Sequence, residues 1–219
     1  MKIDDVRIHV GRETLAATRV LAAPGHTPSV ISFHGTGVIG HRGRVRYLLD
    51  ELASRGVSSA CFDFSGHGQS TGQMATATIA SRLGEAFAAA TLLCPPAPRA
   101  IIGTSMGAHL AAVLLPRLHP HSLILFCPKA YSPDTEELST EDSPAFDALR
   151  PFGGRMVIVV GREDAPISET LVERYAASAP HAETKILRLD GCGHGVHPWL
   201  AEHERERAMV VEAIAAAIS

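Results

Sequence analysis

Short apolar runs of strand length alternate along this chain with segments of helix length. The runs are rich in Val, Ile, Leu and Phe and read "SVISF", "VSSACFDF", "AIIGTS", "SLILFC", "MVIVVG" and "TKILRL". Continuously apolar runs of this length are typical of strands that are covered on both faces. The helix-length segments are residues 42–55, 76–93, 106–118, 168–179 and 198–218. The alternation predicts an α/β fold with a doubly wound, mostly parallel sheet and helices on both faces.

The N-terminal segment follows a different pattern. The runs "VRIHV" and "LAATRVLAA" are separated by Gly11-Arg12-Glu13 and predict an antiparallel hairpin. Adding these two strands to the six apolar runs gives a sheet of eight strands. A chain of 219 residues is long enough for one sizeable core, so we expect a single domain over residues 1–219.

Composition excludes several classes of partner. Twenty Lys and Arg against twenty-three Asp and Glu give a net charge of -3, and no basic run could follow a nucleic-acid backbone. The start "MKIDDVRIHV" lacks a signal-peptide pattern, and no apolar run reaches bilayer length, which predicts a cytoplasmic protein without a membrane partner. Nothing in the sequence indicates an oligomeric state. The cysteines are widely spaced, which favours reduced core thiols over disulfides or a zinc site: Cys61, Cys94, Cys127 and Cys192.

The stretch "RAIIGTSMGAHLAAVLL" places Ser105 between an apolar strand and an alanine-rich helix. A sharp strand-to-helix turn exposes its central side chain, and Gly103 and Gly107 remove side chains that would collide there. The positive end of the helix dipole would also point towards the hydroxyl. The pattern indicates a nucleophile, although a glycine-rich connection without chemistry also fits it.

A serine nucleophile needs a base, and the base needs an orienting carboxylate. Ligands of doubly wound sheets gather beyond the carboxyl ends of the strands, so the loops after later runs are the places to search. "MVIVVG" is followed by "REDAPI" with Asp164, and "TKILRLD" is followed by "GCGHGVH" with His194. The remaining candidates are His197 for the base and Glu163 and Asp190 for the acid.

Five motifs in this order resemble those of the α/β-hydrolase family, in its small-esterase and lipase-like branch, over nearly the whole chain. They are "HGTG" at 34–37, "DFSGHGQS" at 63–70, "GTSMG" at 103–107, "GREDAPI" at 161–167 and "GCGHG" at 191–195. The resemblance implies a Ser105, Asp164 and His194 triad with a minimal lid. It also implies an oxyanion hole formed by the backbone N–H groups of Thr36 and Met106.

The resemblance implies acyl transfer, in which Ser105 attacks a carbonyl and water then releases the acid from the acyl-enzyme. We expect a small-molecule carboxylic ester of small to medium size as substrate. Thioesters, amides, peptides and perhydrolysis remain alternatives, because the triad determines acyl chemistry without determining the leaving group. A protein that binds ligands in a hydrolase pocket without turnover is an alternative of another class.

Four further residues are candidates for the substrate pocket. His34 and Gly35 belong to the oxyanion loop, His67 to a turn close to it, and Trp199 to the core or pocket wall near His194. "GTSMG" is neither a dinucleotide-binding fingerprint nor a phosphate-binding loop, and the histidines lack zinc-ligand spacing. The sequence therefore predicts no cofactor and no metal.

The segment 128–154 is too short for a folded cap and predicts a lid-like loop with one or two helical turns. Its acidic residues predict either a solvated face or a negative potential above the pocket that disfavours polyanionic substrates; they are Asp134, Glu136, Glu137, Glu141, Asp142 and Asp147.

Three arginines lie at the start of the first predicted helix, at Arg42, Arg44 and Arg46. Cations there oppose the helix dipole, by about 0.3 to 1 kcal/mol each. Two interpretations remain: the three arginines form a solvated surface, or one of them binds a substrate carboxylate.

Overall fold

The computed structural model describes residues 1–37, 40–133 and 137–219, and eight strands in these ranges form one sheet. The strands are β1 (Lys2–Val10), β2 (Glu13–Leu21), β3 (Val30–Phe33), β4 (Ser59–Phe62), β5 (Ala100–Thr104), β6 (Ser122–Phe126), β7 (Arg155–Gly161) and β8 (Glu183–Leu189). Their order is β1-β2-β4-β3-β5-β6-β7-β8. β1 and β2 form the predicted antiparallel hairpin, β2 pairs antiparallel with β4, and the other neighbours pair parallel.

The helices are α1 (Arg46–Ser54), α2 (Ile79–Leu93), α3 (Met106–Val113), α4 (Leu115–Leu118), α5 (Pro144–Leu149), α6 (Glu169–Ser178), α7 (Val196–Glu202) and α8 (Glu204–Ile218). Short 3₁₀ turns cover Arg42–Val45 and Met74–Thr76. Contacts among the helices form two groups, with α1, α7 and α8 in one and α2 to α6 in the other. The predicted doubly wound α/β fold is confirmed.

The apolar runs are continuous because the central strands are covered on both faces. Every residue of β3, β4 and β6 is buried. Because β3 to β8 run parallel, their carboxyl ends lie at one edge of the sheet. The loops that follow β3, β4, β5, β7 and β8 at that edge carry the motifs with candidate functional residues.

Two predicted helices are each divided in two. The segment 106–118 separates into α3 and α4, because Pro116 cannot donate a helical hydrogen bond and its ring crowds the carbonyl of the preceding turn. The segment 198–218 begins earlier, at Val196, and breaks at His203, which leaves helical geometry with φ -115° and ψ 86°.

The lid-like segment is short, as predicted. Between β6 and β7 it contains the six-residue helix α5 and an isolated bridge between Tyr131 and Leu138. The proline at the start of α5 and the Ser143 side chain, which accepts from the Ala145 N–H, begin this helix. No helix in the described part of the chain is long and apolar enough to span a bilayer.

Candidate active site

Ser105 occupies the sharp turn that joins β5 to α3. Its backbone has φ 55° and ψ -114°, a conformation that side-chain-bearing residues rarely adopt. The Ser105 N–H donates to the Phe126 carbonyl at 2.8 Å, which ties the turn to the end of β6. Strain of this kind persists only where the surrounding structure enforces it, and it is concentrated at functional sites.

The two flanking glycines are required by close backbone approaches. A Cβ on Gly103 would lie 2.4 Å from the Gly107 carbonyl oxygen, and a Cβ on Gly107 would lie 2.2 Å from the Phe33 carbonyl oxygen. Both contacts are far inside van der Waals distance, and both involve backbone that cannot rotate away. The glycines therefore allow α3 to begin directly against β3 and its following loop.

Replacing Gly107 with alanine is expected to separate α3 from β3. We expect the free energy of unfolding to fall by about 2 kcal/mol, because overpacking against backbone must shift the helix. We also expect catalytic turnover to fall by about 10²-fold, because displacing the start of α3 by roughly 1 Å misplaces the Met106 N–H, the expected oxyanion donor. Denaturant unfolding and steady-state kinetics measure the two effects.

Gly84→Ala in α2 is the matched control for this substitution. A Cβ at Gly84 would meet no atom within 4 Å, so the change should raise the free energy of unfolding by about 1 kcal/mol through helix propensity and leave turnover unchanged. Equal effects of the two substitutions would contradict the packing argument.

The structure brings Ser105, His194 and Asp164 into one hydrogen-bonded chain. His194 Nε2 lies 3.2 Å from Ser105 Oγ, and His194 Nδ1 lies 3.0 Å from both carboxylate oxygens of Asp164. The Asp164 side chain is fully buried, whereas that of His194 is 32% exposed. This is the geometry of a nucleophile, a base and a residue that orients the base.

The three alternative residues have other partners or are exposed to solvent. His197 is buried, with Nε2 2.7 Å from Thr104 Oγ1 and Nδ1 3.1 Å from the Tyr47 hydroxyl. Burial, and then the charge of Arg44, lowers the pKa of His197 to about 4, so its ring is neutral near pH 7. Glu163 is exposed, and exposed Asp190 pairs with Arg162 at 2.6 Å.

His34 shapes the loop that follows β3. The Phe64 N–H donates to His34 Nε2 at 3.0 Å, so the ring proton is on Nδ1, which donates to the Gly35 carbonyl at 2.6 Å. Burial lowers the pKa of His34 to about 3, which keeps this neutral tautomer. Gly35 lies against the nucleophile turn, since a Cβ there would be 3.1 Å from the Ser105 Cβ.

The two proposed oxyanion donors belong to neighbouring segments. Thr36 follows Gly35 and lines the cavity beside Ser105, and Met106 is the buried first residue of α3. The backbone of Met106 therefore lies at the helix N-terminus, where N–H groups have no partner within the helix. Residues 38 and 39 of this loop lie outside the described residues.

A cavity of about 170 Å³ opens beside Ser105. The described residues that line it are Ser32, His34, Gly35, Thr36, Gly40, His41, Arg44, Val45, Thr104, Ser105, Lys129, His194, Gly195, Val196, His197 and Pro198. Sequence reasoning missed Lys129 as a pocket residue, although it lies three residues beyond β6 at the carboxyl edge of the sheet, a position that could have identified it.

Two predicted pocket residues are not part of this lining. His67 is buried behind His34, with 4.9 Å between the ring centroids. Trp199 stacks on His203 at 3.7 Å, and on α7 the buried side chains are instead Val196, His197 and Leu200. Two positions earlier on α7, His197 lines the cavity.

The three clustered arginines have different environments. Arg42 is held by Asp63, which accepts from both its backbone N–H and its guanidinium, and by Gln69. Arg46 pairs with Asp50 one helical turn along at 2.7 Å. Arg44 is the member of the three that lines the cavity.

The acidic residues of the lid-like segment do not line the cavity in the part of the chain that the structure describes. Asp147 pairs with Arg150 at 2.9 Å, and Glu141 borders a separate surface recess beside Arg174. Asp134 and Glu136 lie outside the described residues. The described acidic side chains therefore give no support to a negative potential within the cavity.

All four cysteines are buried and free, and Cys127 lies close to Asp164 and His194. Cys127 Sγ lies within 4.8 Å of the nearest side-chain donor atoms of Asp164 and His194. Burial, and then the Asp164 charge, raises the pKa of the Cys127 thiol well above its usual range. Three such groups can hold a metal, but both His194 nitrogens here already contact Asp164 and Ser105.

Similar solved structures share the fold at low sequence identity. An esterase from Pyrococcus furiosus is 17% identical to this chain and has a TM-score of 0.74. The alignment covers 100% of this chain and 93% of the esterase chain. An α/β serine hydrolase without a lid from Xanthomonas campestris is 18% identical over 90% and 88% of the two chains, with a TM-score of 0.68. The thioesterase domain of the curacin biosynthetic pathway is 15% identical over 100% and 99%, with a TM-score of 0.71.

Family assignment rests on the sequence itself. No curated protein gives a significant match to the chain. The profile of one family, serine aminopeptidase S33, matches residues 25–147, more than half of the chain, from before β3 to within α5. This range contains the "HGTG" and "GTSMG" motifs and the turn that holds Ser105. The chain belongs to the serine aminopeptidase S33 family of α/β-hydrolases.

Proposed function

We propose that this protein is a serine hydrolase that cleaves carboxylic esters of small to medium size through an acyl-enzyme. The observation that carries the proposal is the hydrogen-bonded chain from Ser105 Oγ through His194 to buried Asp164, beside an open cavity. His194 Nε2 accepts the proton as Ser105 attacks the ester carbonyl. Asp164 accepts from Nδ1–H, which holds the required tautomer and stabilises the imidazolium.

The tetrahedral oxyanion would accept from the Thr36 and Met106 N–H groups. Each such donor contributes about 10²- to 10³-fold to turnover in related chemistry. Collapse of the intermediate transfers the histidine proton to the leaving alcohol, and water activated by the same histidine then releases the acid. Ester cleavage needs less help to the leaving group than amide cleavage, which favours esters among the substrates of this triad.

Steady-state hydrolysis of p-nitrophenyl acetate, butyrate and octanoate tests the proposal. We expect multiple turnovers and a preference for the two shorter esters, because a cavity of about 170 Å³ is smaller than the roughly 300 to 1,000 Å³ of common ligand pockets. One equivalent of a fluorophosphonate per chain should abolish the activity.

Three other results would contradict this proposal. Release of no more than one equivalent of nitrophenol would indicate a binding protein or a stalled acyl-enzyme. Absence of ester turnover combined with turnover of the matching acyl thioester would indicate a thioesterase. Equal rates before and after fluorophosphonate labelling would remove Ser105 from the chemistry.

A further inference from the structure

Two basic side chains line the cavity. Among the described residues of the lining, Arg44 and Lys129 are cations, and none carries a carboxylate. The whole chain has a net charge of -3, so an overall basic composition does not explain these two cations. We infer that the cavity selects esters that carry a carboxylate near the scissile bond, bound by Arg44 and Lys129. The catalytic consequence of this inference rests on the proposed ester hydrolysis.

Lys129 is held next to the nucleophile by its own backbone. Its N–H donates to the Ser105 carbonyl at 3.3 Å, and its carbonyl accepts from the Tyr175 hydroxyl at 2.7 Å. Tyr175 is fully buried, so this second bond anchors the loop after β6 to α6. The Lys129 side chain thus begins beside Ser105, on an anchored and half-buried segment.

Arg44 is positioned by its neighbours in the turn before α1. The His41 side chain accepts from the Gly43 N–H at 3.1 Å and caps the turn, and the Arg42 N–H donates to buried Asp63 at 2.7 Å. These bonds hold the turn between the oxyanion loop and α1. The Arg44 charge also acts inside the cavity, since it adds to burial in lowering the pKa of His197 to about 4.

Two histidines of the lining are uncharged at neutral pH. Burial lowers the pKa values of His34 and His197 to about 3 and about 4, so neither ring competes with Arg44 or Lys129 for a substrate carboxylate near pH 7. A carboxylate in this partly enclosed site could accept charge-assisted hydrogen bonds from the two cations, and such bonds are stronger than neutral ones. The small cavity favours a single carboxylate on a short chain.

Pairs of esters that differ by one carboxylate test the inference, with the carboxylate on the acyl part or on the alcohol part of the substrate. Monomethyl succinate and dimethyl succinate differ in charge on the acyl side, and 3-carboxyphenyl acetate and phenyl acetate differ on the alcohol side. We expect the charged ester of at least one pair to have a kcat/KM about tenfold above its neutral partner at low salt. The preference should decrease as ionic strength rises.

Substitutions of Arg44 and Lys129 test whether these two side chains cause the preference for charged esters. Arg44→Gln and Lys129→Gln should each lower the charged-to-neutral ratio of kcat/KM by about three- to tenfold, and Arg44→Lys should retain most of it. Arg12→Gln, an exposed arginine in the β1–β2 turn outside the cavity lining, makes the same charge change and should leave the ratio unaltered.

A binding measurement keeps the inference separate from the catalytic proposal. Ser105→Ala is titrated calorimetrically with monomethyl and dimethyl succinate and with 3-carboxyphenyl and phenyl acetate, because its residual hydrolysis should be too slow to disturb the titration. Tighter binding of a charged ester, weakened by adding Arg44→Gln, supports anion recognition even if no ester is turned over. Serine-dependent turnover with equal ratios in wild type and both variants would overturn the inference alone, as would equal binding of charged and neutral esters.

Discussion

Ser105→Ala is expected to lower kcat for ester hydrolysis by about 10⁶-fold, because no acyl-enzyme can form without the hydroxyl. His194 and the proposed oxyanion donors would remain in place, so a residual rate of roughly 10³-fold over buffer is expected from binding and electrostatics. The measurement is the initial rate with p-nitrophenyl butyrate, at enzyme concentrations high enough to detect this residual rate. Circular dichroism establishes that the variant is folded.

Ser54→Ala is the matched control for the nucleophile. Ser54 is exposed at the end of α1, and its hydroxyl donates only to the Glu51 carbonyl one turn earlier. This substitution should leave kcat within about twofold of wild type, since surface changes of this kind rarely alter stability by more than 0.5 kcal/mol. A folded Ser105→Ala protein with wild-type turnover would show that the Ser105 hydroxyl is not the nucleophile.

Asp164→Asn is expected to lower kcat by about 10⁴-fold while leaving the fold intact. In the wild-type protein the Asp164 carboxylate accepts from His194 Nδ1–H at 3.0 Å, which leaves Nε2 available to accept the serine proton. An asparagine amide can donate to Nδ1 instead and stabilise the tautomer with its proton on Nε2. That tautomer cannot act as a base towards Ser105.

The pH profile distinguishes this role from a general loss of stability. If the tautomer is at fault, activity of Asp164→Asn should partly recover at alkaline pH, where hydroxide can take over as the base, and the midpoint of unfolding should change little. Asp190→Asn is the control, because Asp190 is exposed and pairs with Arg162 away from His194. Comparable losses in both variants would exclude Asp164 as the residue that orients His194.

Local sequence patterns predicted the parts of the site that depend on neighbouring residues. The glycines around Ser105 predicted the tight turn, because a Cβ at Gly103 or Gly107 has no space against adjacent backbone. The order of strand ends likewise predicted that Asp164 and His194 would reach the same edge of the sheet. Both arguments depend on backbone geometry that a few consecutive residues specify.

Side chains that converge from distant segments were harder to predict. Arg44 and Lys129 are separated by 85 positions, and both line the cavity only because the turn before α1 and the loop after β6 meet there. Trp199 stacks on His203, which lies at the break between α7 and α8, and no sequence pattern indicated this contact. No periodic pattern in the sequence predicts these contacts between distant segments.

The amino-acid sequence by itself determined the α/β fold, the eight-stranded sheet with its N-terminal hairpin, and the family to which the chain belongs. These follow from hydrophobic patterning and from motifs in which a few adjacent residues must satisfy one backbone geometry. Only the tertiary structure decided that Arg44 is the one of the three arginines that lines the cavity, because this depends on how the turn before α1 packs beside the loop after β6. It also decided which charges face the nucleophile, since side-chain burial and ion pairing depend on packing between segments far apart in the chain.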